Sequence, residues 1–208
     1  MASARPVLFP LFLKLDGHLC LVVGANPETE GKIRNLLASG AKVRVVSTTE
    51  TNGVRELAQA GRIELQRREF VPADLDGVTL VLALHEIDSV NEQIYREASS
   101  RGVLCNIVDQ PDRCHFYYPA VVRRGQLQIA ISTGGLSPAL ASDIRRELDQ
   151  RFDPGYADWI EALGKARERV LHTLPRSPRR TRLLQRIASK RAFQNYQATR
   201  ARGGQEQL

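Results

Sequence analysis

The sequence predicts an α/β protein built on a doubly wound parallel sheet, and two observations support that prediction. Short β-branched apolar runs alternate with helix-like segments from His18 to about Asp109. Gly40, Gly61 and Gly102 close those segments, as glycines commonly do at the ends of helices. Strands that alternate with helices of this length are joined by right-handed crossovers, so they lie parallel in one sheet.

Five strands and three helices account for this first part of the chain. The expected strands are HLCLVV (18–23), AKVRVVS (41–47), RIELQRR (62–68), GVTLVLAL (77–84) and VLCNIVD (103–109). The expected helices are ETEGKIRNLLASG (28–40), ETNGVRELAQAG (50–61) and DSVNEQIYREASSRG (88–102). Asp88 or Ser89 is the expected N-cap of the third helix.

The pattern changes after Asp109. The stretch 115–132 reads as two strands around an Arg124-Gly125 turn with no helix between them, which indicates an antiparallel ribbon. Ser137-Pro138 then forms a suitable cap and first turn for an amphipathic helix. Two further helices are expected from about residue 156, separated by TLPRSPRR (173–180), and the polar stretch from residue 198 is expected to be disordered.

Charge is distributed unevenly along the 208 residues. Residues 1–150 hold 17 Lys and Arg against 18 Asp and Glu, whereas residues 151–208 hold 13 against 5. The net charge of +7 therefore belongs to the C-terminal quarter. Such a basic region suits nucleic acid, an anionic surface or a polycarboxylate ligand, and a solvated basic face is an equally simple explanation.

The remaining bulk features point to a cytoplasmic protein. No run of 18 apolar residues exists, and the short apolar stretch near the N-terminus contains Pro10 and Lys14 and lacks a cleavage site, so neither a membrane span nor a signal peptide is expected. Cys20, Cys105 and Cys114 are widely spaced, which favours reduced thiols over a disulfide framework.

The turn after the first strand has the outline of a nucleotide-binding turn. Gly24 can provide the tight bend, and Asn26 stands where a second glycine would let the backbone approach a pyrophosphate. Asn tolerates a left-handed backbone better than most residues. However, Pro27 removes a donor, and Glu28 places negative charge near the helix N-terminus, where it would repel a phosphate.

At the end of the second strand, hydroxyl side chains replace the acid that often binds the ribose of NAD. Ser47, Thr48 and Thr49 stand at that point, and they could hydrogen-bond a ribose without excluding a 2′-phosphate. From the residues alone, a dinucleotide site and a purely structural strand–helix connection both remain open.

A stretch further along the chain is more specific. The sequence CNIVDQPDRCHFYYPAVVRRGQLQIAISTGGLSPALASDIRRELD resembles the precorrin-2 dehydrogenase / sirohydrochlorin ferrochelatase family, the N-terminal module of siroheme synthases. The combination of Asn-x-x-Asp with a later Ser-Thr-Gly-Gly-x-Ser-Pro is the distinctive part. The matching residues are Asn106, Val108, Asp109, Phe116, Pro119, Gly125, Ile129, Ala130, Ser132, Thr133, Gly134, Gly135, Ser137 and Pro138.

The resemblance implies a fold, a reaction and a division of the chain. It implies a dinucleotide-binding, Rossmann-like domain over residues 1–113, a dimerisation segment over 114–150 and a C-terminal helical domain with a basic tail over 151–208. The protein would be a homodimer with a tetrapyrrole cleft. It would oxidise precorrin-2 to sirohydrochlorin with NAD⁺, and Fe²⁺ would be a further substrate if it also inserts iron to give siroheme.

The resemblance also assigns residues to these roles. Asp109, at the carboxyl end of the fifth strand, would be the catalytic acid or base. The tetrapyrrole would contact Asn106 and a flexible, donor-rich segment before a helix, which could bind its carboxylates. The cofactor would contact the turn, the second strand end and the residues after the fourth strand. The expected cofactor residues are Gly24, Ala25, Asn26, Pro27, Glu28, Ser47, Thr48, Thr49, Leu84 and His85, and the expected tetrapyrrole residues are Asn106, Thr133, Gly134, Gly135 and Ser137.

The sequence departs from the family on the cofactor side only. The family usually has three consecutive glycines in the turn, and Ala-Thr-Asp-Asp after the fourth strand, where this chain has Ala83-Leu84-His85-Glu86. One alternative is therefore a sirohydrochlorin chelatase or tetrapyrrole-binding protein that does not use NAD.

The sequence gives weaker support for two other kinds of site. The cysteines and histidines lack metal-ligand spacing, so no metal held by the protein alone is expected. The arginines of residues 176–191 could bind nucleic-acid phosphates, but only Phe193 and Tyr196 are available nearby to stack on bases, so a nucleic-acid partner is not favoured.

Overall fold

The computed structural model describes residues 7–203, with the side chains described as far as residue 199. The chain divides into two compact units, the first ending at Tyr118 and the second beginning at Pro119. The predicted three-part division stays a prediction. Among the described residues, no helix has both the length and the apolar character needed to cross a bilayer.

The first unit is a five-stranded parallel sheet with helices on both faces, so the predicted doubly wound fold is confirmed. Its strands are β1 (Leu19–Val23), β2 (Lys42–Val46), β3 (Glu64–Gln66), β4 (Leu80–Ala83) and β5 (Leu104–Ile107). Its helices are α1 (Pro27–Ala38), α2 (Asn52–Gln59) and α3 (Asp88–Arg101), with short 3-10 turns at Pro72–Leu75 and Pro111–Arg113. The connection from β3 to β4 contains one of these turns in place of a full helix.

The strand order is β3-β2-β1-β4-β5, which places the central point of the sheet between β1 and β4. The chain leaves β1 toward β2 on one side and later returns to β4 on the other. In open α/β sheets, ligands bind beyond the carboxyl ends of the strands at such a reversal. A ligand site is therefore expected at the residues that follow β1, β4 and β5.

Two hydrophobic cores hold the sheet, one on each face. Alternate residues of β1 point to opposite faces, so Cys20 and Val22 pack with Ile33 of α1 on one side. Leu21 and Val23 pack with residues of α3 on the other side. All strand residues of β4 are buried, as expected for a central parallel strand covered on both faces.

The second unit contains an antiparallel ribbon and four helices. The predicted ribbon is present, with Arg124 paired to Leu127 across a two-residue loop that begins at Gly125. Gly125 has a φ of 55°, as the tight hairpin turn requires. The elements are β6 (Ala120–Arg124), β7 (Leu127–Ile131), α4 (Pro138–Arg151), α5 (Gly155–Thr173), α6 (Pro178–Ile187) and α7 (Lys190–Gly203).

Two local predictions differ from the structure. Helix α3 begins at Asp88 with Ile87 in the N-cap position, and no side chain caps it. Asp88 is not the cap because its carboxylate accepts hydrogen bonds from Gln110 and Arg113 instead. Residues 198–203, expected to be disordered, continue α7, and residues 204–208 lie outside the described part of the chain.

Candidate functional site

Gly24 forms a tight turn directly after β1, and no other residue fits there. Its φ is +91°, and its N–H donates to the carbonyl of Val46 at 3.0 Å. A Cβ at this position would lie 2.3 Å from the carbonyl oxygen of Leu84. The glycine therefore lets the turn after β1 approach the segment after β4, at the reversal point of the sheet.

Asn26 caps helix α1 with an extended backbone, at φ −100° and ψ 174°. Its side-chain Oδ1 accepts the N–H groups of Glu28 at 3.1 Å and Thr29 at 3.0 Å. It does not adopt the left-handed conformation that a glycine substitute could adopt. Its amide instead occupies two of the donors that a phosphate would bind at a helix N-terminus.

Thr29 completes a reciprocal capping box with Asn26. The Asn26 N–H donates to Thr29 Oγ1 at 3.0 Å, and the Thr29 hydroxyl donates to the Asn26 carbonyl at 2.9 Å. Thr29 is fully buried, so this side of the cap is held in the core. Thr29 stands where a third small residue would lie in a dinucleotide turn, and its hydroxyl bonds explain its presence.

The acidic residues of the first turn of α1 are paired locally. Glu28 lies 2.7 Å from Lys32, and Glu30 lies 2.9 Å from Arg34. Glu30 also accepts the Thr51 hydroxyl at 2.8 Å, and that hydrogen bond, together with Arg34, holds the pKa of Glu30 below its usual range. These partners offset part of the repulsion that the carboxylates would exert on a phosphate.

The hydroxyl residues at the end of β2 form a turn. Ser47 is buried, and its Oγ accepts the N–H of Thr49 at 3.3 Å, while Thr48 and Thr49 are exposed. Sequence reasoning missed Glu50, which follows them and accepts hydrogen bonds from Arg55 and Arg67. Arg67 and Arg55 lower the pKa of Glu50, so this acid is ionised and already paired.

The segment after β4 is clamped by Asn91 of α3. The Asn91 Oδ1 accepts the N–H of His85 at 3.1 Å, and its Nδ2 donates to the His85 carbonyl at 2.9 Å. His85 Nδ1 accepts the N–H of Ile87 at 3.1 Å, which leaves the proton on Nε2 in the neutral ring. That Nε2 lies 3.4 Å from a carboxylate oxygen of Glu69, another residue that sequence reasoning missed.

Asp109 follows β5 in a strained backbone conformation. Its φ is +61°, and it is the only residue other than glycine with a positive φ in the described part of the chain. It is exposed, and its carboxylate has no hydrogen-bond partner among the residues whose side chains the structure describes. Strained residues often occur at active sites, so an open carboxylate held in this way is a strong candidate for chemistry.

His85 and Asp109 occupy equivalent positions after two neighbouring strands. Ala83 of β4 pairs with Ile107 of β5, and each of the two side chains follows its strand end by two residues. Both therefore lie at the edge of the sheet where the Gly24 turn also lies. The structure brings these three predicted positions to one edge of the first unit.

Asn106 supports the segment that follows Asp109. Its side-chain Nδ2 donates to the Phe116 carbonyl at 2.8 Å, and the residue is 7% exposed. His115 adds two contacts with Cys105: its N–H donates to the Cys105 carbonyl at 2.8 Å, and its Nδ1 accepts the Cys105 N–H at 3.1 Å. In this structure, Asn106 positions backbone, and its predicted tetrapyrrole contact is an untested prediction.

The predicted tetrapyrrole segment of the second unit forms a glycine turn before α4. Gly134 and Gly135 have φ values of 62° and 76°. Thr133 Oγ1 donates to the Ser137 carbonyl at 3.0 Å and accepts the Ser137 N–H at 3.2 Å. Ser137 is the predicted N-cap, with its Oγ accepting the N–H of Leu140 at 3.2 Å. The turn is thus closed by Thr133 at one end and Ser137 at the other.

The aromatic residues of the C-terminal helices pack on one another. The rings of Trp159 and Tyr196 have centroids 5.0 Å apart, and those of Tyr156 and Phe193 lie 4.0 Å apart. Phe193 is buried, so it offers no free face for stacking on a base. A cavity of about 300 Å³ adjoins this cluster, and none of the predicted site residues lines it.

Comparisons with known proteins agree with this architecture. A family model described as "Putative NAD(P)-binding" matches residues 11–120, which is more than half of the chain. The chain belongs to this NAD(P)-binding family. A second family model, described as "Sirohaem biosynthesis protein central", matches residues 124–151.

Several curated relatives are siroheme synthases, the proteins whose N-terminal module the sequence resembles. The chain is 35% identical to the siroheme synthase of Photorhabdus laumondii over 165 residues, which are 79% of this chain and 35% of that protein. It is 36% identical to the siroheme synthase of Pseudomonas aeruginosa over 166 residues, 80% of this chain and 36% of that protein. The chain thus spans about a third of the length of these curated relatives.

A solved structure is similar to most of this chain. SirC, precorrin-2 dehydrogenase, superposes with a TM-score of 0.75 and 27% sequence identity over 89% of this chain and 92% of that one. The resemblance to the precorrin-2 dehydrogenase and siroheme synthase family, stated from the sequence, is therefore confirmed.

Proposed function

We propose that this chain oxidises precorrin-2 to sirohydrochlorin with NAD⁺ as the electron acceptor. The main support is the similarity to SirC, precorrin-2 dehydrogenase, which extends over 92% of that chain and so is not confined to a shared nucleotide fold. The match of residues 11–120 to an NAD(P)-binding family supports the choice of cofactor.

The first unit has part of the geometry expected of a dinucleotide-binding site. The Gly24 turn and the segment holding His85 meet at the sheet reversal, where open α/β sheets bind nucleotides. The N–H groups of Glu28 and Thr29 lie at the start of α1 in the same region, although both donate to Asn26 Oδ1. We propose that Gly24 to Glu28 hold the pyrophosphate, Ser47 to Thr49 the adenosine ribose, and Leu84 and His85 the nicotinamide side. NAD⁺ bound there would accept a hydride.

Asp109 is the proposed general base. Oxidation of precorrin-2 by two electrons removes one hydride and one proton, so a group near the reacting carbon must accept the proton. Asp109 is exposed, it bears an uncommitted carboxylate, and its backbone holds it beyond β5. A carboxylate in this setting can accept a proton without first breaking an ion pair.

The second unit is proposed to bind the substrate carboxylates. Precorrin-2 carries eight carboxylates, and the Thr133–Ser137 turn holds the exposed Gly135, whose N–H could donate to one of them, whereas the Gly134 N–H already donates to Ser132 Oγ at 3.2 Å. The net positive charge of residues 151–208 would attract a polyanion of this kind. We also propose that the chain works as a homodimer, as the family resemblance implies, and that it does so in the cytoplasm, as its widely spaced cysteines favour.

A chelatase that does not use NAD is the second candidate function. The observation that favours it is the Asn26 capping box, which occupies the phosphate donors of the turn. In that case Fe²⁺ would be a substrate inserted into sirohydrochlorin, and Asp109 would accept pyrrole protons.

The test supplies purified protein with precorrin-2 in four mixtures, with and without NAD⁺ and with and without Fe²⁺, and with sirohydrochlorin and Fe²⁺ in a fifth. The proposal predicts the sirohydrochlorin spectrum in the iron-free mixture with NAD⁺, and no oxidation of precorrin-2 in the two mixtures without NAD⁺. Iron insertion into supplied sirohydrochlorin, together with no oxidation of precorrin-2, would reject the dehydrogenase and support the chelatase.

A further inference from the structure

We infer that Asn26 is an internal competitor for the cofactor pyrophosphate, so that NAD⁺ binds tightly only after the Asn26 amide leaves the start of α1. The inference rests on the proposed function because it takes NAD⁺ as the cofactor. It concerns the strength of binding and identifies Asn26 as the residue that sets it.

The competition follows from the hydrogen bonds of the first helical turn. Pro27 has no N–H, and the N–H groups of Glu28 and Thr29 both donate to Asn26 Oδ1. The N–H of Asn26 itself donates to Thr29 Oγ1. A pyrophosphate oxygen at this helix start would need the same donors, so it and the Asn26 amide exclude each other.

The amide of Asn26 is the part of this cap that can move. Thr29 is fully buried and fixed by the core, whereas Asn26 is only half-buried. The Asn26 backbone has a negative φ, so rotation of its side chain requires no change in the backbone of the turn. The donors would stay in place for the incoming phosphate once the amide rotates away.

The consequence is a weaker apparent affinity for NAD⁺. A ligand that binds only the uncapped state has its affinity reduced by the fraction of protein in that state. An N-cap of ordinary strength shifts such an equilibrium by about fivefold to tenfold. A glycine in the same position should leave the helix nearly as stable, because glycine is an acceptable N-cap residue.

The experiment titrates NADH and ADP-ribose into the full chain and into three variants of Asn26. Asn26→Gly and Asn26→Ala free both donors, so each should bind both ligands about fivefold to tenfold more tightly than the unmodified protein. Asn26→Asp keeps the cap and adds a negative charge, so its Kd should rise at least about fivefold. Urea unfolding of each variant checks that the fold is retained.

Ser177→Gly is the matched control. Ser177 is also an N-cap, and its Oγ accepts the N–H of Arg180 at 3.2 Å at the start of α6. The same type of substitution there should leave the Kd for NADH unchanged. A gain in Ser177→Gly equal to that in Asn26→Gly would show that loosening any cap strengthens binding, and the inference would be wrong.

The remaining outcomes separate this inference from the proposed function. If NADH binds the unmodified protein and Asn26→Gly with the same Kd, the internal competition is rejected while the NAD-dependent function stands. A gain for NADH without one for ADP-ribose would also reject it, because ADP-ribose contains the pyrophosphate. If no variant binds either ligand, the inference fails, and the cofactor assignment fails with it.

Discussion

At the scale of single residues, two backbone conformations define the candidate site. Gly24 has a positive φ because the turn after β1 passes against the Leu84 carbonyl, and Asp109 has a positive φ without being glycine. The first is explained by close packing. The second belongs to a hydrogen-bonded turn, in which the Gln110 N–H donates to the Ile107 carbonyl at 3.2 Å, and this turn holds the Asp109 side chain beyond β5.

Replacement of Gly24 by Ala should destabilise the protein. The added Cβ would lie 2.3 Å from a backbone oxygen, and a φ of +91° is strained for alanine, so we expect a loss of more than about 2 kcal/mol in the free energy of unfolding in urea. Gly31→Ala is the control, because its Cβ meets no atom within 4 Å and its helical position favours alanine. Equal stability of the two variants would contradict the assigned packing.

Asp109→Asn should remove the proton acceptor while keeping the backbone conformation, because Asn is also tolerated at a positive φ. We expect kcat for precorrin-2 oxidation to fall by about 100-fold or more, with little change in stability. Asp112→Asn alters a neighbouring exposed acid and should leave kcat within about twofold. Full activity of Asp109→Asn would show that another group takes the proton.

Some positions of the candidate site are predictable from the sequence, and others are not. Gly24, His85 and Asp109 follow strands that a simple apolar pattern identifies, so their meeting at one edge is predictable from parallel topology. The capping box of Asn26 and Thr29 is also predictable from residue type, although the same residues have the outline of a nucleotide-binding turn. Glu69 and Arg67 could not be assigned, because contacts between separate loops depend on side-chain directions.

At the scale of elements, Asn91 connects helix α3 to the segment after β4. Its side chain makes two hydrogen bonds with the backbone of His85, and the residue is 3% exposed. The helix and the predicted nicotinamide side of the site are thereby held together. This coupling explains why an asparagine is buried in the first turn of α3.

Asn91→Ala should leave the N–H and the carbonyl of His85 without their partners. We expect a loss of about 2 kcal/mol in the free energy of unfolding, together with weaker NADH binding, because the His85 segment loses its support. Asn35→Ala, at an exposed position on α1, should change stability by less than about 0.5 kcal/mol. If Asn91→Ala is less stable but binds NADH as tightly as the unmodified protein, the Asn91 hydrogen bonds do not support the cofactor site.

Asp74 anchors the 3-10 turn between β3 and β4. Burial raises its pKa, but hydrogen bonds from Arg68 at 2.8 Å and from the Val71 N–H at 2.9 Å outweigh this and leave the pKa below its usual range. A carboxyl whose pKa is lower in the folded state stabilises the fold above its unfolded pKa of about 4. That contribution is lost as the pH falls through the lower, folded value.

In Asp74→Asn, the free energy of unfolding should therefore fall less steeply with decreasing pH than in the unmodified protein. The variant should be less stable than the unmodified protein at pH 7, and the difference should shrink as the pH falls below about 4. Urea unfolding across this pH range measures both quantities. A difference that stays constant down to acid pH would show that the effect of Asp74 does not depend on its ionisation.

At the scale of the whole molecule, the net charge and the type of secondary structure change together along the chain. The parallel sheet lies in the nearly neutral first part, and the excess of basic residues lies in the C-terminal helices. The helical packing there depends on aromatic contacts such as that between Trp159 and Tyr196. The sequence predicted two helices after α4, and the structure has three because Ala188-Ser189 ends α6 before α7 begins.

The proposed homodimer is a prediction at the same scale. Analytical ultracentrifugation of the 23.2 kDa chain should give a species of twice that mass at micromolar concentration. Dilution over a series should leave it intact if the interface is of the stable, obligate kind. A monomer at every concentration would contradict the proposed assembly without affecting the assignment of Asp109.

The central claim is that this chain transfers a hydride from precorrin-2 to NAD⁺. The most direct measurement follows NADH and sirohydrochlorin together in one iron-free reaction. The account predicts that the two products rise in equal amounts and that both depend on Asp109. Sirohydrochlorin formed without NADH, or no oxidation despite measurable NADH binding, would contradict it.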